Sequence, residues 1–197
     1  EKYGVTHPTK PGLKIPQMFE AAIDKKLKGL WIIGEDIVQT DPNSAHVVEA
    51  MNSLELLVVQ EIFMSETAKL ATVVLPGTTF LEKDGTFTNT ERRIQRVNRA
   101  VPPLPGTKPD GVIVTDMMQK LGFDQPTYDA DQMLKEIADV VPFFKGVTRE
   151  RLGKLGLQWP VQEDGTDTQI LHTETFKLGK GRLKNFDWKE STEIETN

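Results

Sequence analysis

Short continuous runs of apolar residues alternate with segments of helical periodicity over the first half of the chain. Three such runs, at residues 30–33, 56–59 and 73–75, are typical of strands that are buried on both faces of a sheet. Between them, the segments 17–28 and 42–53 place their apolar residues on one face of a helix. Because strands that alternate with helices form βαβ units, the pattern predicts a parallel sheet with right-handed crossovers, flanked by helices.

Residues at the ends of these elements support the same assignment. Gly29 ends the first predicted helix, and Gly34 closes the first predicted strand. Either Asp41 or Asn43 can cap the second helix, because their side chains can accept a hydrogen bond from a free backbone N–H. Ser65 can cap a short helix just before the third strand in the same way.

The character of the sequence changes after residue 83. The segment 84–101 contains an Asp-Gly pair and an arginine-rich stretch, and we expect extended or looped structure laid against the sheet. Four prolines in the segment 102–109 exclude a helix there. Weak alternation of apolar residues after residue 170 predicts a hairpin. Three helices are predicted in the C-terminal half, at residues 110–121, 130–141 and 149–155.

Composition excludes several classes of protein. Hydrophobic residues make up 38% of the chain and charged residues 27%, which favours a folded core over disorder. The formal net charge of −5 gives no general attraction to nucleic acid. The chain has no cysteine, which excludes disulfides and iron–sulfur ligation by this segment. The apolar runs are too short to cross a bilayer and a signal-peptide pattern is absent, so we expect a cytoplasmic location without membrane insertion.

Polar residues follow the predicted strands where open parallel sheets bind ligands, which is at the carboxyl ends of the strands. Gly34, Glu35 and Asp36 follow the first strand, and Gln60 and Glu61 follow the second. Carboxylates at these positions can accept hydrogen bonds from a guanine edge or from ribose hydroxyls. Acidic side chains that are merely solvated in loops would give the same pattern.

Other candidates are single residues. Lys83 follows the third strand and could reach a phosphate or simply be solvated, and Asp110 could cap the helix that begins there. The three histidines, His7, His46 and His172, are far apart and have no metal-ligand spacing. The chain also lacks a Gly-x-Gly-x-x-Gly motif and a Walker A motif. We therefore identify no catalytic residue and no metal ligand.

Four arginines, Arg92, Arg93, Arg96 and Arg99, form a basic segment. They could bind phosphate, RNA or an acidic neighbouring domain. The negative net charge and the lack of interleaved aromatic residues argue against nucleic acid as a partner. We expect these arginines to form salt bridges with another part of a longer protein.

Two stretches of the chain resemble the molybdopterin oxidoreductase family. The first is LVVQEIFMSETA at residues 57–68, followed by ATVVLP at 71–76, and the second is EKDGTFTNTERRIQ at 82–95. With GED at 34–36 ahead of them and KPD at 108–110 behind them, their order and spacing are similar to those of formate dehydrogenase alpha subunits. The similarity extends over roughly residues 10–190.

The resemblance implies a Rossmann-like cofactor-binding domain at residues 29–123, preceded by a lead-in and helix at 1–28. Residues 124–197 would be a helical and irregular extension toward a further domain. The parent enzyme would bind molybdopterin guanine dinucleotide with molybdenum. It would oxidise formate and pass electrons through iron–sulfur clusters to an acceptor such as NAD. The implied cofactor-binding residues are Gly34, Glu35, Asp36, Gln60, Glu61, Lys83 and Asp110.

Two positions depart from the family's pattern. Glu61 stands where the family often has Asp, and Gly111 stands where many relatives have a large aromatic residue. The metal-ligating and catalytic residues of the family lie outside this segment, so we predict that the segment alone is inactive. The chain begins with Glu1 rather than Met, and we expect it to be an internal piece of a longer protein.

The expected partners are the remaining domains of the parent chain and an electron-transfer subunit. An exposed sheet edge would also favour self-association of the isolated segment. Three alternatives remain. The chain could be the same domain of a sister enzyme such as a nitrate reductase, a free-standing protein-interaction module, or a generic nucleotide-binding domain without the usual glycine-rich cradle.

Overall fold

The computed structural model describes residues 4, 6, 8–176 and 178–188, which divide into two compact units. The residues up to Asp84 form the first unit together with Asn98–Asp129. The segment Gly85–Val97 and the residues from Ala130 onward form the second. The domain boundaries expected after residues 28 and 123 stay a prediction.

A three-stranded parallel sheet organises the first unit. Its strands are β1 (Gly29–Ile33), β2 (Leu56–Glu61) and β3 (Val73–Pro76), in the order β1-β2-β3. Both strand pairs are parallel, with Ile32 opposite Val59 and Val59 opposite Val74. The α/β fold class with a parallel sheet flanked by helices is therefore confirmed, and all three strands lie where the apolar runs predicted them.

Helices cover the sheet of the first unit and supply most of its core. These helices are α1 (Ile15–Ile23), α2 (Ile37–Thr40), α3 (Ser44–Asn52), α4 (Glu66–Lys69) and α5 (Asp110–Lys120). Val47 and Ala50 of α3 are fully buried in one cluster with Leu57 and Val59 of β2. Burial of each large aliphatic side chain contributes about 1.5–3 kcal/mol, so this cluster fixes the sheet that carries the candidate site.

Helix ends differ in detail from the sequence-based expectation. The helix α1 begins at Ile15, because Pro16 in the first turn needs no backbone hydrogen bond there. It ends at Ile23 rather than at residue 28, and Lys25 follows in the left-handed region with φ 59°. Asn43 is the residue that caps α3, and Ser65 caps α4 as predicted.

The strand β1 lies at an edge of the sheet and is less buried than its sequence suggests. Ile32 is buried, whereas Ile33 at the end of the strand is 48% exposed. The expectation of burial on both faces is therefore wrong for this strand. An apolar run records that a strand is hydrophobic, but it does not say whether a neighbour covers the strand.

Among its described residues, the second unit contains an antiparallel sheet, two α-helices and a 3-10 helix at Pro142–Phe144. The strands β4 (Gly85–Thr88) and β5 (Arg93–Val97) form a hairpin, and β5 also pairs with β6 (Leu157–Gln158). The extended structure expected over residues 84–101 is thus present, but it belongs to this second sheet. The helices are α6 (Ala130–Val140) and α7 (Arg149–Leu152). The core consists of Ile94, Leu134, Val147, Leu152 and Val161.

Two sequence-based expectations concern the remainder of the chain. In the described part of the segment after residue 170, Phe176 and Gly179 form an isolated antiparallel bridge. The residues on which the hairpin was predicted, Phe176, Leu178, Leu183 and Phe186, are among those described, and apart from this bridge the described residues of the segment form no strand pair. The hairpin prediction is therefore wrong for the described part of the segment, and residues 177 and 189–197 lie outside it. Across the part of the chain that is described, none of the helices combines the length and the apolar character needed to cross a bilayer.

Candidate functional site

Three of the predicted site residues meet at the carboxyl end of the parallel sheet. Gln60 lies near the end of β2, Asp110 is the first residue of α5, and Lys83 follows a 3-10 helix at Phe80–Glu82. The amide Nε2 of Gln60 donates to Oδ1 of Asp110 at 2.8 Å, and Nζ of Lys83 donates to Oδ2 of the same carboxylate. We call these three residues the Asp110 cluster.

Burial and the neighbouring positive charge shift the pKa of the Asp110 carboxyl group in opposite directions. Burial alone would raise the pKa of Asp110. The hydrogen bonds from Lys83 and Gln60, together with the positive charge of Lys83, outweigh burial and hold the pKa below its usual value. Asp110 is therefore an anion at neutral pH, and its charge is compensated by Lys83.

Gln60 leaves one polar atom without a partner. Its side chain is 1% exposed, and among the described residues its Oε1 has no hydrogen-bond partner. A buried amide oxygen without a partner is costly, and such atoms concentrate where a ligand or water completes the bonding. The Asp110 cluster thus combines a free acceptor, an anion and a cation within one small region.

Gly77 allows the chain leaving β3 to pass next to Asp110. Its N–H donates to the backbone oxygen of Glu61 at 3.0 Å. A Cβ at this position would lie 3.2 Å from Oδ1 of Asp110, which is tighter than an ordinary contact, and at an ordinary 3.7 Å from Cγ2 of Ile62. Thr78, which follows, is buried with an Oγ1 that has no partner among the described residues.

Glu61 and Gly34 adjoin this region through their backbones. The N–H of Gly34 donates to the carbonyl of Gln60 at 2.9 Å, which places the end of β1 beside the end of β2. The side chain of Glu61 turns back, and its Oε1 accepts from the N–H of Ile62 at 2.7 Å.

Asp36 has different partners and joins the end of β1 to α4. Its Oδ1 accepts from both N and Oγ1 of Thr67, at 3.0 and 2.6 Å, and its Oδ2 accepts from Nε2 of Gln39 at 2.7 Å. Burial would raise the pKa of Asp36, but these bonds together with one from the backbone of Glu66 lower it. The neighbouring Glu35 accepts from Oγ1 of Thr40 at 2.6 Å.

The first turn of α5 is covered by an aromatic ring from another segment. A Cβ at Gly111 would lie 2.1 Å from Cε2 of Tyr128, so the ring rests directly on the backbone of this glycine. Burial raises the pKa of the Tyr128 phenol, and the charges of Asp110, Asp129 and Asp84 raise it further. The phenol is therefore neutral and lies in acidic surroundings beside the Asp110 cluster.

A pocket of about 260 Å³ lies beside α5, between the helix and the end of β3. Leu75, Ile113 and Met117 contribute its apolar wall, and the ion pair of Lys108 with Asp116, at 2.6 Å, lies at its rim. The sequence-predicted site residues are absent from its lining. The pocket is therefore separate from the Asp110 cluster.

The arginine-rich segment has an internal role in the second unit. Arg92 adopts φ 67°, and its guanidinium donates to the carbonyls of Trp159, Thr168 (3.1 Å) and Gln169 (2.9 Å). It also lies over the Trp159 ring, 5.7 Å from the centroid. Arg93 donates to Oε1 of Gln158 at 3.1 Å. These contacts give both arginines partners within this chain, and salt bridges of the segment to another part of a longer protein stay a prediction.

Three features of the site were missed by sequence reasoning. Gly77 carried a usable signal, because a glycine directly after a strand often marks a close approach of the backbone. Glu82 carried a partial signal, because Thr79 and Glu82 have the spacing of a capping box. Thr67 carried none, since a threonine inside a helix is common on protein surfaces. The bonds of Thr67 to Asp36 and of Glu82 to Leu104 join residues that are distant in sequence.

Comparison with known proteins gives a consistent picture. The sequence profile of the molybdopterin oxidoreductase family matches residues 4–120. An F420-dependent formate dehydrogenase subunit alpha of Methanocaldococcus jannaschii is 43% identical over 188 residues, covering 93% of this chain and 28% of the relative. A probable oxidoreductase of Bacillus subtilis is 42% identical over 195 residues, covering 98% of this chain and 20% of the relative.

A putative formate dehydrogenase of Staphylococcus aureus is 44% identical over 187 residues, covering 94% of this chain and 19% of the relative. The chain thus spans between 19% and 28% of the length of these three relatives. Among solved structures, acetylene hydratase from Pelobacter acetylenicus matches with a TM-score of 0.57 at 20% identity. This match covers 68% of the present chain and 19% of that chain, and it concerns the fold alone.

Proposed function

Because this chain belongs to the molybdopterin oxidoreductase family, we propose that it is the part of a molybdenum-dependent formate dehydrogenase that holds the nucleotide portion of molybdopterin guanine dinucleotide. The observation that carries the proposal is the Asp110 cluster. It unites Gln60, Lys83 and Asp110 at the carboxyl end of a parallel sheet, which is where such sheets bind nucleotides.

The residues of the cluster fit a guanine nucleotide by their donor and acceptor chemistry. The buried Oε1 of Gln60 is an acceptor without a partner among the described residues, and Lys83 supplies a positive charge for phosphate or ribose oxygens. Gly77 keeps the space next to the Asp110 carboxylate free of a side chain. Glu61, at the end of the same strand, can exchange its bond with the Ile62 N–H for a guanine edge.

Within the whole enzyme the bound cofactor supplies the redox chemistry, and this chain's residues bind and orient its nucleotide end. Lys83 binds through its charge, and Asp110 directs the ammonium group while remaining unprotonated. The bonds from Thr67 to Asp36 fix the end of β1 against α4. We propose that Gly34 and Glu35, which precede Asp36, contact the nucleotide. The chain has no cysteine, and we propose that by itself it neither oxidises formate nor transfers electrons.

Formate as the substrate of the whole protein is supported by the names of two relatives, one an F420-dependent formate dehydrogenase subunit alpha and the other a putative formate dehydrogenase. We also propose iron–sulfur clusters in the parts of the protein that this chain does not include. The name of one relative, which is F420-dependent, argues against NAD as the acceptor. The remaining domains and an electron-transfer subunit are the proposed partners.

The test is calorimetric titration of the purified chain with GDP and with ADP. We expect GDP to bind more tightly than ADP, and Lys83→Ala to weaken the binding. Lys28→Ala is the matched control, because Lys28 is exposed and pairs with Glu55 at the opposite end of the sheet. Equal affinity for GDP and ADP, or equal effects of the two lysine variants, would contradict the proposal.

A further inference from the structure

Glu82 is a buried carboxylate beside the Asp110 cluster. It is the last residue of the 3-10 helix Phe80–Glu82, and its side chain is only 6% exposed. A charged group in such a place is unfavourable unless hydrogen bonds compensate for the lost water. Glu82 therefore needs partners, and the identity of these partners indicates what it does.

Both oxygens of the Glu82 carboxylate accept hydrogen bonds, and they do so from two different segments. Oε2 accepts from N and Oγ1 of Thr79, at 2.9 and 2.8 Å, which closes a capping box around the 3-10 helix. Oε1 accepts from the backbone N of Leu104 at 2.8 Å. Hydrogen bonds from Thr79 and Leu104 lower the pKa of Glu82, so it stays ionised.

The two segments joined by Glu82 are those that carry the cation and the anion of the cluster. One continues directly into Lys83, and the other runs through Leu104 to Asp110. Further bonds align them, since Ala100 and Val101 donate to the carbonyl of Leu81 at 2.8 and 3.0 Å. Through its bond with Leu104, the side chain of Glu82 connects the second segment to the 3-10 helix immediately before Lys83.

We propose that Glu82 is a positioning residue that holds Lys83 on Asp110 and thereby aims the ammonium group at the phosphate oxygens of a guanine nucleotide. The ligand in this statement rests on the proposed function, but the pairing of Lys83 with Asp110 does not. The nucleotide touches Lys83 and leaves Glu82 covered.

The substitution Glu82→Gln distinguishes a positioning role, which needs two acceptor oxygens, from a role in packing, which needs only the size of the side chain. Glutamine has the same size, but one of its two terminal atoms becomes a donor. That donor would face either the backbone N–H of Thr79 or the backbone N–H of Leu104, each of which needs an acceptor. Glu82→Gln must therefore release one of the two segments.

The first measurement is a carboxyl-detected NMR titration of Asp110, assigned with Asp110→Asn. In the wild type the pKa of Asp110 is expected below its usual value, and in Glu82→Gln it moves upward, as it does in Lys83→Met. The double variant should show no further movement beyond Lys83→Met, because both changes remove the same contact. Glu55→Gln is the control, since Glu55 is exposed and lies at the other end of the sheet.

An unchanged Asp110 titration in a folded Glu82→Gln protein would overturn the inference and leave Glu82 a structural role only. If Glu82→Gln does not fold, Thr79→Val removes one donor to the same carboxylate and keeps the charge. The pKa of Asp110 should then move in the same direction by a smaller amount, and an unmoved value would equally overturn the inference.

A second measurement compares GDP with guanosine by calorimetry. Glu82→Gln should weaken GDP binding about tenfold, equivalent to about 1.4 kcal/mol, and leave guanosine binding unchanged. Equal losses for both ligands would contradict an action through Lys83. A wild-type chain that binds neither ligand would overturn the proposed function, and the Asp110 titration would still decide the role of Glu82.

Discussion

The ring of Tyr128 occupies the space in front of Gly111, where a Cβ would lie 2.1 Å from Cε2. This ring comes from the segment after α5 and covers the first turn of that helix. Asp110, the first residue of α5, thereby has an aromatic neighbour.

Gly111→Ala is expected to push the Tyr128 ring out of its place. The ring would leave its buried, acidic surroundings, so the phenol pKa should fall toward its ordinary value. Tyrosine absorbance measured against pH, in a Tyr3→Phe background, reports Tyr128 alone because the chain has two tyrosines. Gly12→Ala is the control, since a Cβ there meets nothing within 4 Å. An identical titration of Gly111→Ala and wild type would refute the expectation.

Asp36→Ala is expected to destabilise the first unit by about 1.5–3 kcal/mol, the typical contribution of a hydrogen bond to a charged group. Thr67 is fully buried and would lose the acceptor for both its N–H and its hydroxyl. Urea unfolding gives the change in the free energy of unfolding. Glu35→Ala removes a single exposed bond to Thr40 and should cost much less. A similar decrease in the free energy of unfolding for both variants would argue that Asp36 does not hold β1 against α4.

The elements that the sequence predicted well are those with local signals. Continuous apolar runs mark β1, β2 and β3. Gln60 and Glu61 are predicted site residues because open parallel sheets bind ligands at the carboxyl ends of their strands. Asn43 and Ser65 cap their helices because a cap needs only a polar side chain next to a free N–H. Such features depend on a few neighbouring residues, and a single sequence contains them.

The elements that the sequence did not reveal depend on distant partners. β5 pairs with Leu157 and Gln158, more than sixty residues away, and neither has a signal for a strand. The sequence predicted a surface role for Arg92, whereas its guanidinium donates hydrogen bonds to backbone carbonyls beyond residue 158. The bond from Asp36 to Thr67 spans 31 residues. The local sequence around each of these two polar residues does not indicate that they are hydrogen-bonded to each other.

Acid should destabilise the protein through carboxyl groups whose pKa is lowered in the folded state. For Asp36 and Asp110 the hydrogen bonds outweigh burial, so the stabilisation is complete above the unfolded-state pKa of about 4. It is lost as the pH falls through the lower folded-state pKa. Urea midpoints measured from pH 6 downward should fall less steeply in Asp36→Asn than in wild type. Asp24→Asn, at an exposed pair with Lys26, should retain the wild-type slope.

Arg92→Lys is expected to destabilise the second unit by about 1–3 kcal/mol, because the half-buried carbonyls of Trp159 and Thr168 lose their donors. A guanidinium presents several donors in one plane and can serve the carbonyls of Trp159, Thr168 and Gln169 together, whereas an ammonium cannot match this geometry. Thermal unfolding followed by Trp159 fluorescence, with the other two tryptophans replaced by phenylalanine, measures the effect.

The same substitution at an exposed arginine provides the comparison for Arg92. Arg182 is exposed, and Arg182→Lys should leave the melting temperature unchanged. Because Arg92 also lies over the Trp159 ring, its replacement should alter the emission of that tryptophan even below the transition. If Arg92→Lys melts with the wild type and keeps its emission, the guanidinium does not hold the second unit together, and the arginine segment regains its place as a candidate surface for a partner.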